Sequence, residues 1–287
     1  MFVIRHSPLL LLALTGCASL GVPSPLASLE HGLLYQPAPV TLQDLHATRA
    51  LRTLEFEEAA FTAEDGTRLS GLFAPHEHPR AVALFAHGNA GNVFTWAETA
   101  RELRDRHGLS VLLFDYRGYG HSEGTPSEHG LIQDARAARK WLAARTGVAE
   151  TDIVLIGRSL GGAVVVQLAA DDGARGLVLQ STFTSAPDVG NVHASWLLPR
   201  LTMQNRFESL KRIGDYRGPL LVSHGDADEV IPYEHGRMLC EAAPGPKRFV
   251  TIPGGRHNDL LGADYPRALD EFIDSLPPTA RAERSPE

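Results

Sequence analysis

Two cysteines in 287 residues are too few for a disulfide framework, and neither stands in a C-x-x-C or zinc-ligand spacing. Basic charge is also short. Lys and Arg number 27 against 34 Asp and Glu, a net charge of −7, so the chain offers no basic surface for nucleic acid. No internal repeat appears, and no Pro/Gly/Ser-rich linker divides the chain in two. The apolar run Leu9–Leu14 is shorter than a helix needs to cross a bilayer. What remains is 43% hydrophobic and 21% charged, ordinary globular composition with enough length for one large α/β domain.

The first residues read as an address. Arg5 and His6 precede the apolar run, and together they form an export signal over residues 1–16. Leu14-Thr15-Gly16-Cys17 then resembles the lipobox of bacterial lipoproteins. That resemblance implies cleavage before Cys17 and lipidation of Cys17. Because Ala18 rather than Asp follows, it also implies an envelope protein on the outer membrane, facing the periplasm. Acyl chains on one residue tether a domain without embedding it. An ordinary signal peptide or a short uncleaved anchor are the alternatives. Residues 17–50, with Pro23, Pro25, Pro37 and Pro39, read as a tether, with Tyr35-Gln36-Pro37 already packing on the domain. Cys240, left unpaired, reads as a small buried apolar residue.

The organising stretch is Ile153 to Gly162. Ile153-Val154-Leu155-Ile156 reads as a strand buried on both faces, and Ala163–Ala170 as a helix. Between them Gly157-Arg158-Ser159-Leu160-Gly161 is Gly-x-Ser-x-Gly at a strand-to-helix turn, the nucleophile elbow. A serine at such a turn projects its hydroxyl clear of the backbone. The flanking positions approach so closely that both must be glycine. The helix that follows aims its free N–H groups and its dipole at a developing oxyanion.

The rest alternates. Leu54–Thr62 and Arg68–Ala74 read as a hairpin around Glu64-Asp65-Gly66-Thr67, and Ala81–Ala86 as a third strand. Further strands are read at Leu109–Phe114, Gly176–Gln180, Pro219–Ser223 and Arg248–Ile252. Helices are read at Trp96–His107, Leu131–Ala144 and Tyr265–Leu276. This predicts a mostly parallel, doubly wound sheet of about eight strands behind an antiparallel hairpin. The domain is read over residues 51–276 and a disordered tail over 277–287. Residues 183–216 interrupt the alternation with Trp196, Leu197, Leu198, Leu201, Met203 and Phe207. They read as a cap that supplies apolar substrate contacts.

Three groups complete a site. His87-Gly88-Asn89-Ala90-Gly91-Asn92 after the third strand places a backbone N–H, at Asn89, to pair with that of Leu160 in an oxyanion hole. Asp226 and Asp228 both follow a late strand, and spacing does not choose between them. His257 follows the last strand, in the chain order serine, acid, histidine.

With these segments in view, the chain resembles the serine α/β-hydrolase superfamily. It is most similar to the membrane-associated branch that includes the Bem46-like and ABHD13/ABHD17-like proteins. The resemblance runs from about Glu55 to Leu276. It is carried by the His87–Asn92, Asp115–Gly120, Ser122–Ser127, Gly157–Gly161, His224–Pro232 and Gly255–Asn258 segments. It implies the α/β-hydrolase fold and selects Asp228, which directly precedes Glu229-Val230-Ile231-Pro232, as the acid. It makes Asp115–Gly120 a structural turn. It further implies a Ser159–His257–Asp228 triad acting on acyl esters or thioesters with no cofactor and no metal. A serine peptidase and a catalytically silent, lipid-tethered binding protein are the alternative readings.

Overall fold

The computed structural model describes residues 25–38, 56–259 and 262–279. The export signal, Cys17, residues 39–55 and the end of the tail lie outside the described residues.

Eight strands form one sheet. They are β1 (Glu57–Thr62), β2 (Arg68–Ala74), β3 (Ala81–Ala86), β4 (Leu109–Phe114), β5 (Val154–Arg158), β6 (Gly176–Gln180), β7 (Leu220–Gly225) and β8 (Lys247–Ile252). Their spatial order is β8-β7-β6-β5-β3-β4-β2-β1. The hairpin β1–β2 is antiparallel and meets β4 antiparallel; the six strands from β4 to β8 run parallel. This is the α/β-hydrolase fold.

The helices are α1 (Pro25–Leu34), α2 (Val93–His107), α3 (Glu128–Thr146), α4 (Leu160–Asp172), α5 (Ala186–Ala194), α6 (Tyr233–Ala242) and α7 (Asp264–Asp274), with short helical turns between α5 and β7. The apolar strand sequences make sense once both sheet faces are covered. Along β3, Val82, Leu84 and Ala86 join the core under α3, α4 and α6, while Ala81, Ala83 and Phe85 join the core under α2 and α7. Every residue of β3 and β4 is buried, so no polar alternation survives in either.

Local signals set the helix ends. Asn92 caps α2 by accepting from the N–H groups of Phe94 and Thr95, and Gly108 closes the helix at φ 67°. Ser127 caps α3 and Gly147 ends it at φ 72°. Cys240 on α6 is buried and free, as a small apolar residue.

One assignment is corrected. Part of the segment read as a tether is helix α1, and Gln36–Pro37 pairs in parallel with Ala90–Gly91 beside the site. The prolines at 25 and 37 suggested an extended leader. Pro25 instead stands at the first position of a helix, where a missing N–H costs nothing.

The turn after β4 is held by a buried ion pair. Arg117 clamps Asp134 of α3 through its backbone N–H (2.7 Å) and through Nε and Nη2 (3.0 and 2.8 Å), and reaches Asp65 in the hairpin turn (2.8 Å). The Asp134 side chain is fully buried. Arg117→Met leaves that carboxylate uncompensated and is expected to cost about 3–5 kcal/mol in urea denaturation. The double variant Arg117→Met/Asp134→Leu is expected to recover most of the loss; equal losses would show that the pair is not the source.

Candidate active site

The site is built from the carboxyl ends of β3, β5, β7 and β8. At the end of β5, Ser159 adopts φ 52°, ψ −119°, a conformation that costs a non-glycine residue about 1–3 kcal/mol and is held by its surroundings. Its N–H donates to the Gln180 carbonyl at 2.9 Å, and the Thr182 hydroxyl donates to its carbonyl at 2.7 Å. The flanking glycines are steric necessities. A Cβ on Gly157 would lie 2.5 Å from both the Gly161 carbonyl oxygen and Val165. A Cβ on Gly161 would sit on the carbonyl oxygen of Ala86, the last residue of β3.

Ser159 Oγ lies 3.2 Å from His257 Nε2, and His257 Nδ1 lies 2.8 Å from Asp228 Oδ2. A carboxylate facing Nδ1 keeps the proton there and leaves Nε2 free to accept from the serine hydroxyl. The other Asp228 oxygen accepts from the N–H groups of Val230 and Ile231 at 2.9 and 2.8 Å. Burial works against the charge on Asp228. The bonds from His224, His257 and the Ile231 N–H outweigh it and hold the carboxyl well below its ordinary range. Asp226 takes no part in this chain of bonds. It is exposed and accepts from the Gly254 N–H at 2.6 Å, bracing the turn before His257.

The loop after β3 meets Ser159 from the other side. A Cβ on Gly88 would stand 3.7 Å from that of Ser159. The Gly88 carbonyl is turned back by His87 Nδ1 at 2.7 Å, so in a trans peptide the Asn89 N–H points the opposite way. The Asn89 carbonyl accepts from the Tyr119 hydroxyl and the Gln36 N–H, both at 2.9 Å. Gly88, Asn89, Ser159, Leu160 and His257 all line one cavity.

That cavity measures about 560 Å³. Phe183, Ala186, Val189, Leu197 and Met203 of residues 183–216 form one wall. The opposite wall is α1, through Leu26, Leu29, Leu33 and Leu34. The two walls are fastened together. The Glu30 carboxylate accepts from the backbone N–H groups of Gln204 and Asn205 (2.9 and 2.7 Å) and from Asn205 Nδ2 (2.7 Å). The Tyr35 hydroxyl donates to Asn205 Oδ1 at 2.9 Å.

Three parts of the site escaped the sequence reading. α1 gave only a short pattern among prolines. Arg158, adjacent to the serine, donates to the His257 carbonyl at 2.8 Å while its guanidinium lies 5.7 Å from the Trp96 ring centre. Burial lowers its pKa. His224 faces both the Ile231 carbonyl (2.9 Å) and Asp228 Oδ2 (3.3 Å) through Nε2, so it helps hold the acid in place. Only adjacency to Ser159 and to Asp226–Asp228 marked these two in the sequence.

A serine on a strained strand-to-helix turn, hydrogen-bonded to a histidine and through it to an aspartate at the carboxyl edge of a doubly wound sheet, defines the α/β-hydrolase class of proteins. Comparison with known proteins agrees. The profile of the family described as "Serine aminopeptidase, S33" matches residues 77–209. An Arabidopsis thaliana protein, "Alpha/beta hydrolase domain-containing protein WAV2", is 32% identical over 282 residues, covering 90% of this chain and 92% of its own. The Escherichia coli K12 protein YfhR is 38% identical over 233 residues, 76% of this chain and 80% of its own. The chain belongs to the α/β-hydrolase superfamily. Among solved structures, an esterase from Pyrococcus furiosus superposes with a TM-score of 0.66 at 21% identity, covering 85% of this chain and 98% of that one. An esterase from Rhodococcus sp. ECU1013 superposes at 0.58 with 20% identity, covering 77% and 99%. At that identity both speak to fold alone.

His87 generates a pH prediction. It is fully buried, and burial lowers its pKa from 6.5 to about 4. Below pH 6.5 the unfolded chain therefore takes up a proton that the folded chain refuses, so acidification toward pH 4 removes stability. His87→Gln is expected to flatten the slope of unfolding free energy against pH across pH 4–6.5 by up to one proton, about 1.4 kcal/mol per pH unit. Urea titrations across that range check it; an unchanged slope would refute the assignment.

Proposed function

We propose that this protein is a serine hydrolase that cleaves acyl esters or thioesters through an acyl-enzyme. The carrying observation is the Ser159–His257–Asp228 hydrogen-bonded chain at the floor of an apolar cavity. As His257 Nε2 takes the hydroxyl proton, Ser159 Oγ bonds to the substrate carbonyl carbon. The carbonyl oxygen becomes an oxyanion, held by the N–H groups of Leu160 and Asn89. His257 returns the proton to the departing alkoxide or thiolate as the carbon–leaving-group bond breaks. A water, deprotonated by His257, then attacks the acyl carbon, and Ser159 leaves with the proton. Asp228 keeps His257 in the required tautomer and stabilises its charged form. None of these steps calls for a metal or cofactor.

An acyl ester fits better than a peptide N-terminus. A site for a free amino group needs a carboxylate to spare. Glu30 is the one acid among the described lining residues, and its oxygens already accept from Gln204 and Asn205. The likeness in sequence to the Bem46-like branch supports substrates presented at a membrane. The lipobox at Leu14–Cys17 supports anchoring at Cys17 in the bacterial envelope, on the outer membrane facing the periplasm.

Fluorophosphonate treatment followed by intact-mass analysis is expected to add one adduct to the wild type and none to Ser159→Ala. Ser159→Ala and His257→Ala should each lower kcat on p-nitrophenyl esters at least about a thousandfold, and Asp228→Asn somewhat less. A folded wild type without an adduct would favour a binding protein instead. Metabolic labelling with an alkynyl palmitate analogue is expected to mark the wild type and not Cys17→Ser; equal labelling would refute the anchor.

A further inference from the structure

Eight large hydrophobic side chains are exposed among the described residues, and seven of them gather on the elements that frame the cavity over Ser159; the exception is Met238 on α6. Leu29 and Leu33 stand on α1, Val192 on α5, and Trp196, Leu198 and Leu201 on the turns that follow. Val230, beside the triad acid, completes the rim. Trp196 and Leu201 are 79% and 83% exposed and line no part of the cavity. Scattered apolar residues are normal on a surface, but an apolar rim around the mouth of an apolar cavity marks an interaction site.

We propose that this rim docks on a neutral lipid surface and that the acyl chain passes from the lipid straight into the cavity; the second clause rests on the acyl-hydrolase reading above. Three observations select lipid as the occupant. First, Leu29, Leu33 and Val230 are exposed on the rim and also line the cavity, so the apolar rim and the apolar cavity are one continuous surface. Second, the arginines of the cap are already engaged. Arg200 pairs with Asp188 at 2.8 Å and Arg206 with Glu208 at 2.7 Å, so neither is free for an anionic partner. Third, the 24 residues that precede α1 join it at Pro25, next to the lining residue Leu26. After the cleavage read above, that stretch begins at Cys17, eight residues before α1. The anchor proposed at Cys17 would therefore join the domain beside a lining residue of the cavity. Tryptophan and leucine at the tips of short helical turns suit the interfacial layer of a bilayer.

Trp196 supplies a local probe that the N-terminal residues cannot mimic. Mature protein that begins at residue 17 and carries Cys17→Ser is mixed with vesicles of dibrominated phosphatidylcholine, and tryptophan quenching is compared with that of the same protein carrying Trp196→Phe. Quenching that is largely absent from Trp196→Phe is the expected result. Flotation with plain phosphatidylcholine vesicles is expected to fall tenfold or more in Trp196→Ser/Leu201→Ser and to change little between 0.1 and 1 M salt. In the same variant, kcat/KM on p-nitrophenyl acetate and fluorophosphonate labelling should be unchanged. Equal quenching in Trp196→Phe, equal flotation of the double variant, or binding confined to anionic vesicles would each overturn the proposal. So would a dimer in sedimentation velocity that the double variant abolishes while its flotation stays intact, since a second copy would then be the occupant. Absence of labelling in both proteins would sink the hydrolase reading alone, because quenching and flotation report the surface whether or not Ser159 reacts.

Discussion

The site depends on one close backbone approach. Gly161 lies against the carbonyl of Ala86, so that β3, β5 and α4 meet with no side chain between them. That contact puts the Gly88–Asn89 loop beside Ser159 and keeps Ser159 at positive φ. Any side chain at Gly157 or Gly161 would push the loop and the elbow apart. Strain at one residue is sustained because the sheet, the helix and the loop all hold it from different directions.

Around that contact, buried polar groups orient the reacting groups. His87 turns the Gly88 carbonyl away, His224 and the Val230 and Ile231 N–H groups hold Asp228, and Arg158 holds the carbonyl of His257. Hydrogen bonds among buried groups strengthen in a low dielectric, which helps hold these reacting groups in place. Above it, the cavity is apolar on both walls. Its two walls come from segments far apart in the sequence and are joined by Glu30 and Tyr35. In the proposed reaction, precision at the floor would position a reacting carbonyl and the apolar walls would hold what is attached to it.

Much of this was legible in the residues. Strands buried on both faces have no choice but continuous apolar sequence, so β3 to β7 stood out, and glycine at 157 and 161 is demanded by sterics wherever a serine sits at such a turn. Chain order then pointed to His257. Asp226 and Asp228 could not be separated by spacing, because both follow β7 within one turn. Resemblance preferred Asp228, and in the fold only Asp228 reaches the imidazole while Asp226 braces Gly254. α1 was hidden for a different reason. Its ten residues make few periodic repeats, and it is held to the cap by the Glu30 carboxylate, which accepts from the Gln204 and Asn205 N–H groups more than 150 residues later, a contact that no local pattern carries.

By itself, the sequence determined the order of strands and helices, the position of the elbow and the identity of its serine. These follow from local rules: burial on two faces, capping, and the space a Cβ occupies. Only the tertiary structure decided which aspartate meets His257, which histidine supports that aspartate, and that a proline-flanked leader becomes a wall of the cavity. Those outcomes depend on distances between residues far apart in the chain, and such distances exist only once the sheet has brought the strand ends together.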